Sequence, residues 1–154
     1  MKRFTKLLAV LLATTACDSP TDTESFALRA DPAIQSQKAS IKLNSDGTPF
    51  SYSCRFPISL IAEGGVGKDK AILQVGSGSR QYAYPGGTST VPISVSNAQL
   101  QGWFGADELR AGSKLSAIVE YAYYGAPPST TIIDIAYLDS KARLRSTTVT
   151  FSCL

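Results

Sequence analysis

Histidine is absent from this chain of 154 residues, and that gap removes much of enzyme chemistry. Without it neither a Ser-His-Asp nor a Cys-His nucleophile can be assembled. Cysteine occurs three times, as Cys17, Cys54 and Cys153, with no CxxC pair among them. A thioredoxin-type redox motif is therefore missing, and two spare thiols without imidazole are too few ligands for zinc. Charge excess is missing too. The formal +3 belongs entirely to Lys2, Arg3 and Lys6; beyond them 12 Lys and Arg face 12 Asp and Glu. Nucleic acid binding requires a clustered basic surplus, so no nucleic acid partner is expected, and Arg143 with Arg145 reads as a solvated strand face. No apolar run approaches the roughly 20 residues of a membrane-spanning helix.

What is present begins with a targeting pattern. The basic start of Lys2, Arg3 and Lys6 leads into the seven apolar residues Leu7 to Ala13 (LLAVLLA), and small residues Thr14, Thr15 and Ala16 then precede Cys17. This is the three-part arrangement of a secretory signal, with an apolar run too short to span a bilayer. An exported chain meets an oxidising compartment, where two further cysteines are most simply a disulfide. Pairing Cys54 with Cys153 would close a loop of about a hundred residues, for which chain entropy gives roughly 4 to 5 kcal/mol.

Thr14-Thr15-Ala16-Cys17 resembles the lipobox of bacterial lipoproteins, with Thr14 standing where leucine is usual. The resemblance implies that the Cys17 thiol receives diacylglycerol, that the signal (1–16) is cut before it, and that the new amino terminus is acylated. The membrane is then a partner through the anchor at Cys17. One fatty chain binds only marginally, whereas two or three hold stably. The expected location is the bacterial cell envelope, at the periplasmic face of the inner or outer membrane or at the cell surface. Asp18, directly after the cysteine, is in some Gram-negative bacteria an inner-membrane retention mark.

Residues 17–37 after that point are rich in Ser, Thr, Asp and Pro, without an evident period. They read as the lipidated cysteine and a flexible tether, with a root-mean-square reach of roughly 25 Å for twenty residues. From 38 to 154 the pattern is short stretches of period two between Gly, Pro, Asn and Asp. Cys54, Phe56, Ile58 and Leu60 alternate with polar residues, and Pro57 in the polar register marks an edge or a bulge. Further stretches fall at Lys70 to Val75, Ser79 to Tyr84, Val91 to Val95, Leu115 to Tyr123, Ile133 to Tyr137 and Val149 to Cys153. Asp139 to Ala142 reads as a hairpin loop. The fold class expected is all-β, a sandwich of about seven or eight strands. One short helix is expected where Ser96 and Gln99 form a capping box opening onto Leu100 and Trp103.

Leu109-Arg110-Ala111-Gly112-Ser113-Lys114-Leu115 resembles the Leu-x-Pro-Gly-Thr-x-Tyr loop before the penultimate strand of fibronectin type III and related Ig-like domains. That likeness implies an Ig-like, fibronectin-like sandwich.

The remaining chemistry is sparse. Gly64-Gly65-Val66-Gly67-Lys68 lacks the earlier glycine and following hydroxyl of a phosphate loop and has Asp69 in its place, so it reads as a turn. Glu120, Asp134 and Asp139 are the carboxylates that glycosidase chemistry would require, and each reads as a solvated strand or loop residue. No catalytic residue, cofactor or metal is expected, and the chain is not expected to be an enzyme. The tyrosines carry the one binding signal. Tyr82, Tyr84, Trp103 and Tyr124 are the ligand-binding candidates, since exposed Tyr and Trp supply contact area at low entropy cost. The expected function is a non-catalytic binding or interaction module contacting an envelope protein or polysaccharide. The alternative is a structural or assembly accessory of an envelope complex.

Overall fold

The computed structural model describes residues 25–84, 86–123 and 129–154, with the backbone of Tyr123 but not its side chain. The signal segment, Cys17 and Tyr124 lie outside the described residues. Ten strands and one helix follow in chain order: β1 (Ala27–Asp31), β2 (Ile34–Gln37), β3 (Ser40–Leu43), β4 (Pro49–Glu63), β5 (Lys70–Tyr84), β6 (Gly87–Val95), α1 (Asn97–Phe104), β7 (Glu108–Arg110), β8 (Lys114–Tyr123), β9 (Ser129–Leu138) and β10 (Leu144–Cys153). They form an all-β sandwich of two sheets.

In the four-stranded sheet β4 is the spine. β8 runs antiparallel along one side, and β1 and β3 share the other side end to end. In the six-stranded sheet the order is β2-β10-β9-β5, with β6 and β7 sharing the far side of β5. Among the described strands only β2 runs parallel to its neighbour, β10. Period-two alternation turns Cys54, Phe56, Ile58, Leu60 and Ala62 of β4 inward against Val149, Phe151 and Cys153 of β10. The Phe56 and Phe151 rings stack across the gap with centroids 4.8 Å apart. Each ring is almost fully buried, which contributes about 1.5–3 kcal/mol per side chain. The Leu28 backbone N–H donates to the Tyr137 hydroxyl at 3.0 Å, a buried bond from one sheet to the other.

Cys54 and Cys153 are disulfide-bonded, with Cα atoms 5.9 Å apart and 99 residues between them in sequence. The bridge joins the spine of one sheet to β10 of the other. Helix α1 covers the edge between the sheets, burying Leu100 and Phe104. Its capping box is formed as expected: the Ser96 side chain accepts from the Gln99 N–H, and the Gln99 carboxamide accepts from the Ser96 N–H at 2.8 Å. Asn97 Nδ2 donates to the Leu73 carbonyl at 2.6 Å and fastens the helix to β5.

The structure corrects several sequence expectations. The tether expected over 17–37 does not hold for the described part of that range, because β1 and β2 fall inside it and belong to the sandwich. Phe26, Leu28 and Ala30 point inward at 9%, 6% and 2% exposure. This is a three-residue alternation, cut short by Pro32 and too brief to stand out from its polar surroundings. Ten strands replace seven or eight for the same reason, since β1, β2, β3 and β7 are each five residues or fewer. The stretches at Lys70 and Ser79 are one strand, β5, whose register shifts between Leu73 and Gly76. That shift reverses the inward phase and leaves Val75 exposed. Pro57 lies within the spine, yet at a place where one side of β4 is open between β1 and β3, so its missing N–H costs no ladder bond. The loop at Ala111 to Ser113 precedes β8, which two more strands follow, one earlier than the penultimate place in the Ig-like resemblance.

Candidate functional site

The two ends of the sandwich differ. At one end β4, β5 and β8 bring tyrosines together: Tyr52 stands opposite Tyr123 in register, and Tyr82 stands opposite Ser129, whose other neighbour is Cys153. After the shift in β5 the inward side is Gly76, Gly78, Arg80 and Tyr82. Arg80 is thus aimed between the sheets, partly buried. Its guanidinium carbon lies 4.3 Å from the centroid of the Tyr121 ring, which comes from the opposite sheet. Arg80 Nε donates to Thr131 Oγ1 at 2.9 Å. Thr131 is itself buried on β9.

Two polar groups here lack their usual partners. Among the described residues no carboxylate lies within ion-pair distance of Arg80, although Arg29, Arg55, Arg110, Arg143 and Arg145 each have one. The Tyr121 hydroxyl is buried and has no hydrogen-bond partner among the described residues. Burial pushes that phenol up to about 12, against the opposing pull of the Arg80 charge and the reach of its guanidinium N–H groups toward the hydroxyl, so at neutral pH the hydroxyl keeps its proton. Among the described residues, then, a partly desolvated guanidinium lies over a ring whose buried O–H has no acceptor. Tyr82 and Tyr84 are binding candidates from sequence, and alternation with Val119 turns Tyr121 inward without making it one, but no local pattern marks Arg80 or Thr131. The inward turn of Arg80 follows from the β5 register shift, which no alternation count reveals.

Tyr84 is exposed at the end of β5, its ring passing over Gly87. Tyr82 is half-buried against the core. Trp103 is not with them. It lines a shallow open groove with Asp31, Pro32, Pro57, Ser59 and Ile118 on the four-stranded sheet. The structure therefore divides the described aromatic candidates between two places. In that groove Ser59 and Ser116 share a hydroxyl bond of 2.9 Å, and Ile118 is exposed.

The carboxylates are occupied. Glu120 faces Arg55 at 3.4 Å on the solvent side. Asp134 accepts from Thr148 Oγ1. Asp139 is buried, unlike the solvated loop residue expected, because the β9–β10 loop folds over it. Its oxygens accept the Arg143 and Lys141 backbone N–H groups and the side chains of Arg143 and Arg145. The Arg143 N–H first, and then those other donors, hold its carboxyl well below the usual range despite burial. A carboxylate so stabilised as an anion is a loop fastener and a poor general acid. Among the described residues no cluster of three metal-ligating side chains is present.

No family model matches the chain, and no curated protein matches it. Among solved structures it is similar to the X-ray structure of a Northeast Structural Genomics Consortium target, SoR45. The match has a TM-score of 0.53 and 13% identity over 85% of this chain and 87% of that one. At that identity the likeness is one of fold alone.

Proposed function

We propose that this chain is a lipid-anchored, non-catalytic binding module of a bacterial cell envelope. Its ligand carries an oxyanion received between the sheets by Arg80 and Tyr121. The anchor rests on the lipobox resemblance at Cys17, which lies outside the described residues. The binding site rests on one observation: the Arg80 guanidinium, with no carboxylate beside it among the described residues, lies over the ring of Tyr121 from the opposite sheet, whose buried hydroxyl finds no hydrogen-bond partner among those residues. An oxyanion would accept from both, with the fork of Arg80 supplying two-pronged recognition. Tyr84 at the rim offers an exposed ring to whatever bears the anion. The Trp103 groove, with exposed Ile118, favours as a second reading a protein contact in an envelope complex.

Thermal unfolding with added acetate, glucuronate or inorganic phosphate at constant ionic strength tests this. At ten times its Kd a ligand adds about 1.4 kcal/mol, which raises the midpoint of a domain of this size by about 5 °C. The rise is expected for the native protein and for Arg55→Gln, and is lost in Arg80→Met. Glucuronate acting more strongly than acetate would mark a sugar-borne acid; equal effects would mark a free carboxylate. Absence of any rise, or an equal rise in Arg80→Met, overturns the assignment.

A further inference from the structure

At the end opposite Arg80 three loops, distant in sequence, are fastened into one platform. The Ala111 N–H donates to the Asp69 carbonyl at 2.9 Å, and the Lys70 N–H donates to Ser140 Oγ at 2.7 Å. The segments 64–69, 110–114 and 139–145 carry Lys68, Arg110, Lys114, Lys141, Arg143 and Arg145 against Asp69 and Asp139, while residues 17–154 as a whole balance at twelve each. Arg110 is paired with Glu108 at their border at 3.2 Å, which leaves a surplus of +3. Asp139 is buried beneath Arg143 and Arg145, and the cations stand at the surface. Two apolar side chains stand out among them, Val66 at 48% exposure and Leu144 at 69%.

The chain enters the domain at this same end. Ser25 and Phe26 line a cavity of about 280 Å³ together with Val66, Lys141, Arg143 and Arg145. Between Cys17 and Ser25 there are only residues 18–24. Eight residue steps span at most about 28 Å fully extended. If Cys17 is held at a bilayer, the platform is confined close to the headgroups, and a weak surface affinity becomes an intramolecular one. Exposed lysines and arginines around a few protruding aliphatic side chains match the chemistry of an anionic lipid interface.

We propose that this loop platform docks on an anionic lipid surface, which holds the sandwich upright and turns the Arg80 end away from the membrane. The inference rests on the anchor reading for proximity, but the platform itself can be tested without it. The triple variant Lys68→Glu, Lys114→Glu and Lys141→Glu changes exposed side chains only. Two measurements decide. In the first, the acylated protein is placed in nanodiscs of phosphatidylglycerol or of phosphatidylcholine, and hydrogen exchange is followed in segments 64–69 and 139–145. Several-fold slower exchange is expected on phosphatidylglycerol only, and none in the triple variant. In the second, full-length Cys17→Ser chains with and without the triple change are sedimented with phosphatidylglycerol vesicles. Salt-sensitive binding is expected to be stronger for the chain that keeps its lysines. If acyl chains are absent from Cys17 while that difference persists, the anchor reading fails and the platform stands. If the lysines make no difference in either measurement, the platform is wrong whatever Cys17 carries.

Discussion

Replacing Cys54 and Cys153 together by alanine is expected to lower stability by about 3–5 kcal/mol and the unfolding midpoint by about 10–15 °C. The physical reason is the length of the closed loop. The bridge spans 99 positions, nearly the whole domain after β3, so its removal frees almost the entire unfolded chain. Both residues are buried, at 1% and 3% exposure, and alanine leaves little void beyond the lost sulfurs. Denaturant titration of the double variant, beside native protein with and without reductant, checks the value. A loss under about 1 kcal/mol would mean that the Phe56–Phe151 stack and the flanking ladders already hold the sheets, contrary to the chain-entropy account.

The second large effect is expected at Gly78. This residue sits on the inward side of β5 between β6 and β9, and a Cβ there would run into the Ile132 carbonyl and lie 3.0 Å from Ile133 Cα. Those atoms are backbone, so the strand itself must move. Gly78→Ala is expected to cost about 3 kcal/mol or more, at the upper end of overpacking effects. Gly102→Ala supplies the opposite sign. Gly102 lies in α1 with nothing within 4 Å of its would-be Cβ, and alanine there is expected to gain about 0.5–1 kcal/mol. Equilibrium unfolding of the two variants decides: equal effects would show that close strand approach does not govern position 78.

These two glycines also show where the sequence was legible. Alternation at Cys54 to Leu60 and Val149 to Cys153 declared the inward faces, and the even pair of cysteines declared the bridge between them. Ser96 and Gln99 declared the helix start because a capping box is a local motif. Features that depend on register were hidden. A shift between Leu73 and Gly76 swaps the faces of β5, turning Val75 out and Arg80 in. The partner of that arginine, Tyr121, arrives from a strand 41 residues later in the sequence and from the other sheet. β1 was hidden differently, since Phe26, Leu28 and Ala30 make too short an alternation beside Asp31 and Pro32 to separate a strand from a tether.

Charge followed the same logic. A neutral total, twelve against twelve, gave no sign of a basic surface. Folding collects half of those cations onto three neighbouring loops that carry two acids of their own, with Glu108 paired to Arg110 at their border, so the asymmetry exists only in three dimensions. It separates the molecule into a cationic end beside the entering chain and a tyrosine-lined end around Arg80.

What Cys17 carries decides whether the chain is anchored as proposed. Intact mass of the protein extracted from the native membrane tests this directly. The account predicts a chain beginning at Cys17, heavier than its residues by a diacylglyceryl group and an amide-linked fatty acid, and gaining two hydrogens on reduction. The same preparation from Cys17→Ser should lack the lipid mass. A chain recovered from the soluble fraction with an unmodified Cys17, or one lipidated equally in Cys17→Ser, would contradict it.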